Sequence, residues 1–184
     1  RPDAAMAYQA CVNAEIGNYR DGSYGAGTGA TVGKLLGMDH CMKSGIGSYA
    51  VQVGNLQVGA VVAVNAVGDV YDYENGRKIA GLLAADGKTF LDSELAALQA
   101  IEAQTEKFVG NTTLGVILTN ARLDKAHLCK IAGMAHDGYA RAIRPVHTSM
   151  DGDSIYAVSL GDVPADMDVV GTLAARVMAK AIVR

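Results

Sequence analysis

The sequence predicts an α+β domain built in layers. Two strand-like runs, residues 47–53 and 56–65, are joined by Gly54-Asn55, a two-residue hairpin signal. Three later segments carry cap residues and helical spacing. Strands and helices come in blocks rather than in strict alternation, which favours α+β layering over repeated βαβ units. The chain has 184 residues, enough for a single domain, 1–184, with its own core. Half the residues are hydrophobic, yet 5% are aromatic and none is Trp, so packing must rest on Ala, Val, Leu, Ile and Met.

Residues 3–15 read as an Ala-rich helix, with Pro2 at its opening and Gly17 closing it. Residues 18–37 are dense in glycine, which suits tight turns and close backbone approaches. The near-continuous apolar run at 56–65 predicts a strand buried on both faces. Asp69 to Asp86 is turn-rich and predicted to be partly exposed. Asp92 or Ser93 can cap a helix running to Lys107, with Leu95, Leu98 and Ile101 on one stripe and Gly110 as its stop. A strand is expected at 113–119 and a helix from Leu123 to Ala140. Residues 145–150 and 154–160 read as a hairpin around Asp151-Gly152, and a last helix covers Asp166 to Val183.

Composition excludes several classes of function. The net charge is −3 and no basic cluster appears, which argues against nucleic-acid binding. No apolar run approaches the length of a membrane span, and no signal-peptide pattern opens the chain. Cys11, Cys41 and Cys129 are odd in number and far apart, which fits a reducing cytoplasm better than a disulfide framework. His40, His127, His136 and His147 lack metal-ligand spacing, so no metal is predicted. Gly25-Ala26-Gly27-Thr28-Gly29-Ala30 resembles a dinucleotide fingerprint, but Ile16 to Tyr24 does not read as the strand such a site needs. A phosphate-loop reading also fails: position 28 is Thr, and Lys34 is followed by Leu35. No cofactor is expected. What remains is a glycine-rich turn, which either packs backbones closely or presents Lys34 near a reacting centre.

The chemistry-bearing candidate is Gly110-Asn111-Thr112-Thr113-Leu114-Gly115-Val116-Ile117. It sets a small polar break before an apolar strand. If the bond before a Thr here were cut, that Thr would carry both a nucleophilic hydroxyl and a free α-amine, a minimal catalyst for amide hydrolysis. Thr112 and Thr113 both qualify by position. Asn65 ends the apolar run, where its carboxamide is either a satisfied core group or an oxyanion donor. Asp151 and Asp153 are either parts of a turn or a pair that orients a nucleophile.

Five segments in order resemble one family: residues 25–34, 62–70, 110–113, 134–148 and 151–153. That family is the self-processing amidohydrolases, which include L-aminopeptidase/D-esterases, β-peptidyl aminopeptidases and nylon-oligomer hydrolases. The resemblance implies a layered αββα sandwich. It also implies cleavage of the Asn111–Thr112 bond, giving a large fragment that ends at residue 111 and a small fragment, 112–184. Thr112 would then act as N-terminal nucleophile and amine base, Asn65 as oxyanion donor, and Lys34, Asp151 and Asp153 as its catalytic partners. The Thr, Lys and Asp pair resemble the nylon-oligomer branch most closely. The implied substrate is a small peptide or amide with a free amine. The implied assembly is a homotetramer of cleaved protomers. Family members also carry a further N-terminal portion, so the chain is expected to be the later part of a longer protein and to need that portion as a partner. Two other readings stay open: an acyltransferase of the ornithine acetyltransferase type, and a non-catalytic, uncleaved homologue.

Overall fold

The computed structural model describes residues 2–103 and 110–184. In chain order the elements are α1 (Ala4–Val12), β1 (Thr31–Val32), β2 (Met42–Lys43), β3 (Ile46–Val53), β4 (Leu56–Ala63), β5 (Asp69–Tyr71), β6 (Lys78–Ala80) and α2 (Ser93–Ala103). They continue with β7 (Leu114–Ala121), α3 (Lys125–Ala142), β8 (Ile143–Arg144), β9 (Ser154–Val163) and α4 (Met167–Ile182). The main sheet has the order β3-β4-β7-β9, and a smaller one has the order β6-β5-β8.

The hairpin signal at Gly54-Asn55 joins β3 to β4 as expected, with Val53 opposite Leu56. Leu56, Val58, Ala60 and Val62 alternate onto one face of β4 and are buried. There they meet α4, which brings Val170, Ala174, Val177 and Met178 into the same core. Ile131, Ala135 and Tyr139 of α3 complete it. Asp124 and Asp166 begin these two helices, their carboxylates accepting backbone N–H groups of the first turn. The α layer on a β layer gives the predicted α+β class.

Four expectations need correction. The first helix stops at Val12 with Asn13 as its C-cap, short of Gly17, and none of its residues is buried. β4 is buried on one face only. The other carries Gln57, Gly59, Val61 and Ala63, which are half-buried or exposed. Val61, Val116 and Tyr156 are register partners on this second face, as are Gly59, Leu118 and Val158. The result is an apolar and largely exposed sheet face, of the kind a second sheet covers in a sandwich.

The third correction concerns α2, where Leu95 and Leu98 are exposed rather than core-facing. Ser93 is fixed to the buried Asp69 by its N–H at 2.9 Å and its hydroxyl at 2.7 Å, which turns the face of Ser93 and Ala96 inward instead. The expected continuation to Lys107 lies outside the described residues, as does the side chain of Ile101. The fourth concerns residues 145–160, which form no hairpin. β9 runs parallel to β7 across the α3 connection, and β8 pairs with β5. The Asp151-Gly152 turn is consumed by bonds to neighbouring backbone, described next.

Candidate active site

Strand register brings the candidate residues together. Ala63 of β4 pairs antiparallel with Leu114 of β7, so two residues further along Asn65 faces Thr112. The Thr112 N–H donates to the Asn65 backbone oxygen at 3.0 Å. On the other side Leu114 pairs with Ser154 in parallel, and the same offset sets Asn111 beside Asp151. Three sequence-distant segments therefore meet at Asn111–Thr112.

Lys34 arrives from below through the glycine-rich segment. Gly33 has φ 70°, and a Cβ there would lie 2.0 Å from the Leu82 backbone nitrogen, so only glycine allows this approach. Close backbone packing and presentation of Lys34 are thus one feature. The Lys34 side chain is buried and donates to the Asn65 side-chain oxygen at 2.7 Å and to its backbone oxygen at 3.1 Å. Burial pulls its pKa down to about 8, against the opposing pull of Cys41 and the Asp151 carboxylate. An ammonium only donates, so it fixes the Asn65 amide with its oxygen toward Lys34. The amide NH₂ then faces the chain near the candidate bond and donates to the Gly110 oxygen at 3.4 Å.

Thr112 is exposed, and its hydroxyl donates to the Asn111 carbonyl oxygen at 2.6 Å. The Gly152 N–H donates to the same oxygen at 2.8 Å. Thr113 differs from Thr112 in burial and in what its hydroxyl meets. Its side chain is fully buried, its hydroxyl has no partner among the described residues, and its N–H donates to Asp153 Oδ1 at 2.9 Å.

The two carboxylates brace the loop around this bond. Asp151 Oδ2 accepts from the Thr148 hydroxyl at 2.6 Å and its N–H at 3.1 Å, while Oδ1 accepts from the Val67 N–H at 3.3 Å. Asp153 Oδ2 accepts from His147 Nδ1 at 2.9 Å. Among the described residues, neither carboxylate bonds the Thr112 hydroxyl directly. They position the backbone on both sides of it.

Two further residues shape the site without having been assigned a role from the sequence. His147 adopts φ 57°, unusual for a side chain of this size, and its ring lies 3.3 Å from His136 Nδ1. Burial, then the neighbouring His147, lowers the His136 pKa. Tyr139 is fully buried, and its single hydroxyl proton is shared between the Thr113 and Ser154 carbonyl oxygens, both at 3.2 Å. Burial and then Asp153 push its hydroxyl well above the usual tyrosine range. No spacing rule links His147 to a carboxylate six residues on, but a His between Pro145 and the Asp pair was the available signal. Among the described residues, no group of three or more His, Cys, Asp or Glu could hold a metal.

Residues 2–184 match the family model for peptidase family S58. The chain belongs to peptidase family S58. Among relatives, an uncharacterized aminopeptidase of Mycobacterium leprae is 36% identical, aligned over 90% of this chain and 46% of its own length. The 6-aminohexanoate-oligomer endohydrolase of Kocuria sp. is 32% identical over 88% of this chain and 46% of its own. The chain therefore spans about half the length of the curated relatives it matches. Among solved structures, the L-aminopeptidase D-Ala-esterase/amidase of Ochrobactrum anthropi, described as a variant of the Ntn hydrolase fold, superposes with a TM-score of 0.64. That match has 20% identity and covers 97% of this chain and 48% of the other. The Burkholderia sp. β-aminopeptidase gives 0.63 at 20% identity, covering 99% of this chain and 50% of the other. The S58 chain thus shares the layered fold of these aminopeptidases. Among its described residues, no helix is long and apolar enough to cross a membrane.

Proposed function

We propose that this S58 protein is an amide hydrolase that activates itself by cutting its own Asn111–Thr112 bond. The observation that carries this reading is the Thr112 hydroxyl lying 2.6 Å from the carbonyl oxygen of the residue before it, in an exposed position. In the first step Oγ1 attacks the Asn111 carbonyl carbon, and water hydrolyses the resulting ester. Cleavage leaves a large fragment that ends at residue 111 and a small fragment, 112–184. Thr112 then holds a free α-amine, a class of group whose unperturbed pKa is about 7.7–8.0, low enough for it to serve as a base that takes the hydroxyl proton.

In turnover, Thr112 attacks the substrate carbonyl, and the acyl-Thr112 ester is released by water. Asn65, with its NH₂ turned toward the reacting strand by Lys34, serves as oxyanion donor. The Lys34 cation adds positive potential, and Asp151 and Asp153 keep Asn111 and Thr113 in register. The substrate class is a small peptide or amide with a free amine; the aminopeptidase name of one relative fits the free amine, and the oligomer endohydrolase name of another fits the amide bond. The working unit is a cytoplasmic homotetramer of cleaved protomers, with the apolar sheet face covered by the rest of the longer protein. Thr112 is favoured over Thr113 as nucleophile because the Thr113 hydroxyl is sealed in the core. The test is hydrolysis of short peptide amides and of 6-aminohexanoate oligomers by the full-length protein. Activity lost in Thr112→Ala and kept in Thr112→Ser supports the reading. Undiminished activity in Thr112→Ala overturns it.

A further inference from the structure

The carbonyl oxygen of Asn111 accepts two hydrogen bonds, from Thr112 Oγ1 at 2.6 Å and from the Gly152 N–H at 2.8 Å. The Asn65 amide faces a different oxygen, that of Gly110, at 3.4 Å. We propose that the backbone N–H of Gly152 is the oxyanion donor for self-cleavage, a role separate from that of Asn65 in substrate turnover. This rests on the self-processing reading above.

A plainer account is that this bond merely continues the β7–β9 ladder, since Asn111 pairs with Asp151 just beyond it. The ladder does aim the N–H. Two further observations go beyond pairing. The bonded oxygen is the one the nucleophilic hydroxyl also touches. A Cβ at residue 152 would lie 2.7 Å from Thr112 Oγ1, so glycine there leaves the hydroxyl its room. The peptide carrying the N–H is also held from both ends. Asp151 is tied to Thr148 and Val67, and Asp153 to Thr113 and His147. A donor held this rigidly needs no reorganisation as charge grows on the oxygen.

The step balances within the chain. Oγ1 bonds the Asn111 carbonyl carbon while the C=O π pair moves to oxygen, where the Gly152 N–H holds it. The C–N bond to Thr112 then breaks, its nitrogen takes the hydroxyl proton, and an Asn111–Thr112 ester with a free amine results. Water adds to the ester, giving the Asn111 carboxylate and the free Thr112 hydroxyl. Once the Asn111 carboxylate departs, the donor has done its work, and Asn65 faces the incoming substrate.

The test replaces Gly152 with glycolate in the full-length protein, turning the 151–152 amide into an ester that removes the N–H and changes no side chain. Cleavage is followed by intact mass over time. The expected result is a slowing of about 100-fold or more, the effect of removing one oxyanion donor. Cleavage within a few-fold of the parent overturns the donor assignment. A parent chain that never cuts sinks the self-processing reading itself, so the two failures are distinct. Should the glycolate chain not fold, the uncut Thr112→Ala protein is read by NMR. A through-hydrogen-bond coupling between Gly152 nitrogen and the Asn111 carbonyl carbon is expected, and its absence overturns the proposal.

Discussion

The Lys34 ammonium sits 2.7 Å from the Asn65 side-chain oxygen, so a buried cation sets the orientation of a carboxamide beside the Asn111–Thr112 bond. The charge is held among neutral oxygens, with Asp151 as a more distant counterweight. That arrangement has a measurable cost.

The folded-state pKa of Lys34, about 8, lies below its ordinary value of 10.5. The folded chain therefore binds fewer protons than the unfolded one between these limits, and stability rises with pH across that window. Below pH 8 the cost is fully present, roughly 3 kcal/mol for a shift of this size. Urea midpoints should climb from pH 8 toward pH 10.5 in the uncut Thr112→Ala background. The additional Lys34→Met substitution should flatten that climb. A parallel pH response in both proteins contradicts the assignment.

Asp69 should be the most damaging carboxylate to remove. It is buried and accepts from Lys78 Nζ at 2.6 Å, the Leu82 N–H at 2.7 Å, the Ser93 N–H at 2.9 Å and the Ser93 hydroxyl at 2.7 Å. Asp69→Ala strands the Lys78 cation and frees the start of α2, at a cost of about 3–5 kcal/mol. Thermal or urea unfolding measures it, and a loss below about 1 kcal/mol would show that the cluster relaxes readily.

Thr113→Val separates the two threonines. The Thr113 hydroxyl is buried without a partner among the described residues, so an isosteric methyl should be neutral or stabilising by about 1 kcal/mol. Cleavage should continue at the same bond. Loss of cleavage with an intact fold would move the nucleophile to Thr113.

His147 combines a left-handed backbone at φ 57° with a bond to Asp153. Asn tolerates that conformation and can donate from its side chain, whereas Ile can do neither. His147→Asn should lose little stability. His147→Ile should be the less stable of the two, because a β-branched side chain fits a positive φ worse than His or Asn does, and it should slow self-cleavage as Asp153 loosens. Equal behaviour of the two variants would remove His147 from the account.

Much of this fold was legible because local signals agreed with it. Asp124 and Asp166 mark their helices through capping, and Gly54-Asn55 marks its hairpin through turn chemistry. The failures share a cause. Asp151-Gly152 carries a hairpin signal, but its groups are spent on Asn111, Thr148 and Val67, so no hairpin forms. Leu95 and Leu98 have core-like spacing, yet the tie between Ser93 and Asp69 rotates them outward. At the candidate site, Lys34, Asn65, Asp151 and Asp153 were named from their residue chemistry and from the family resemblance, and the fold brings them beside Asn111–Thr112. The Gly152 N–H and the Tyr139 hydroxyl were not named, because a backbone donor leaves no letter in a sequence and a buried Tyr on a helix reads as core.

The central claim is that Thr112 cuts the bond before it. Intact mass of the freshly purified full-length protein, with N-terminal sequencing of the smaller piece, tests this most directly. The account predicts two pieces, the smaller beginning Thr112-Thr113-Leu114-Gly115. A single uncut mass after long incubation, or a small piece beginning at Thr113, would contradict it.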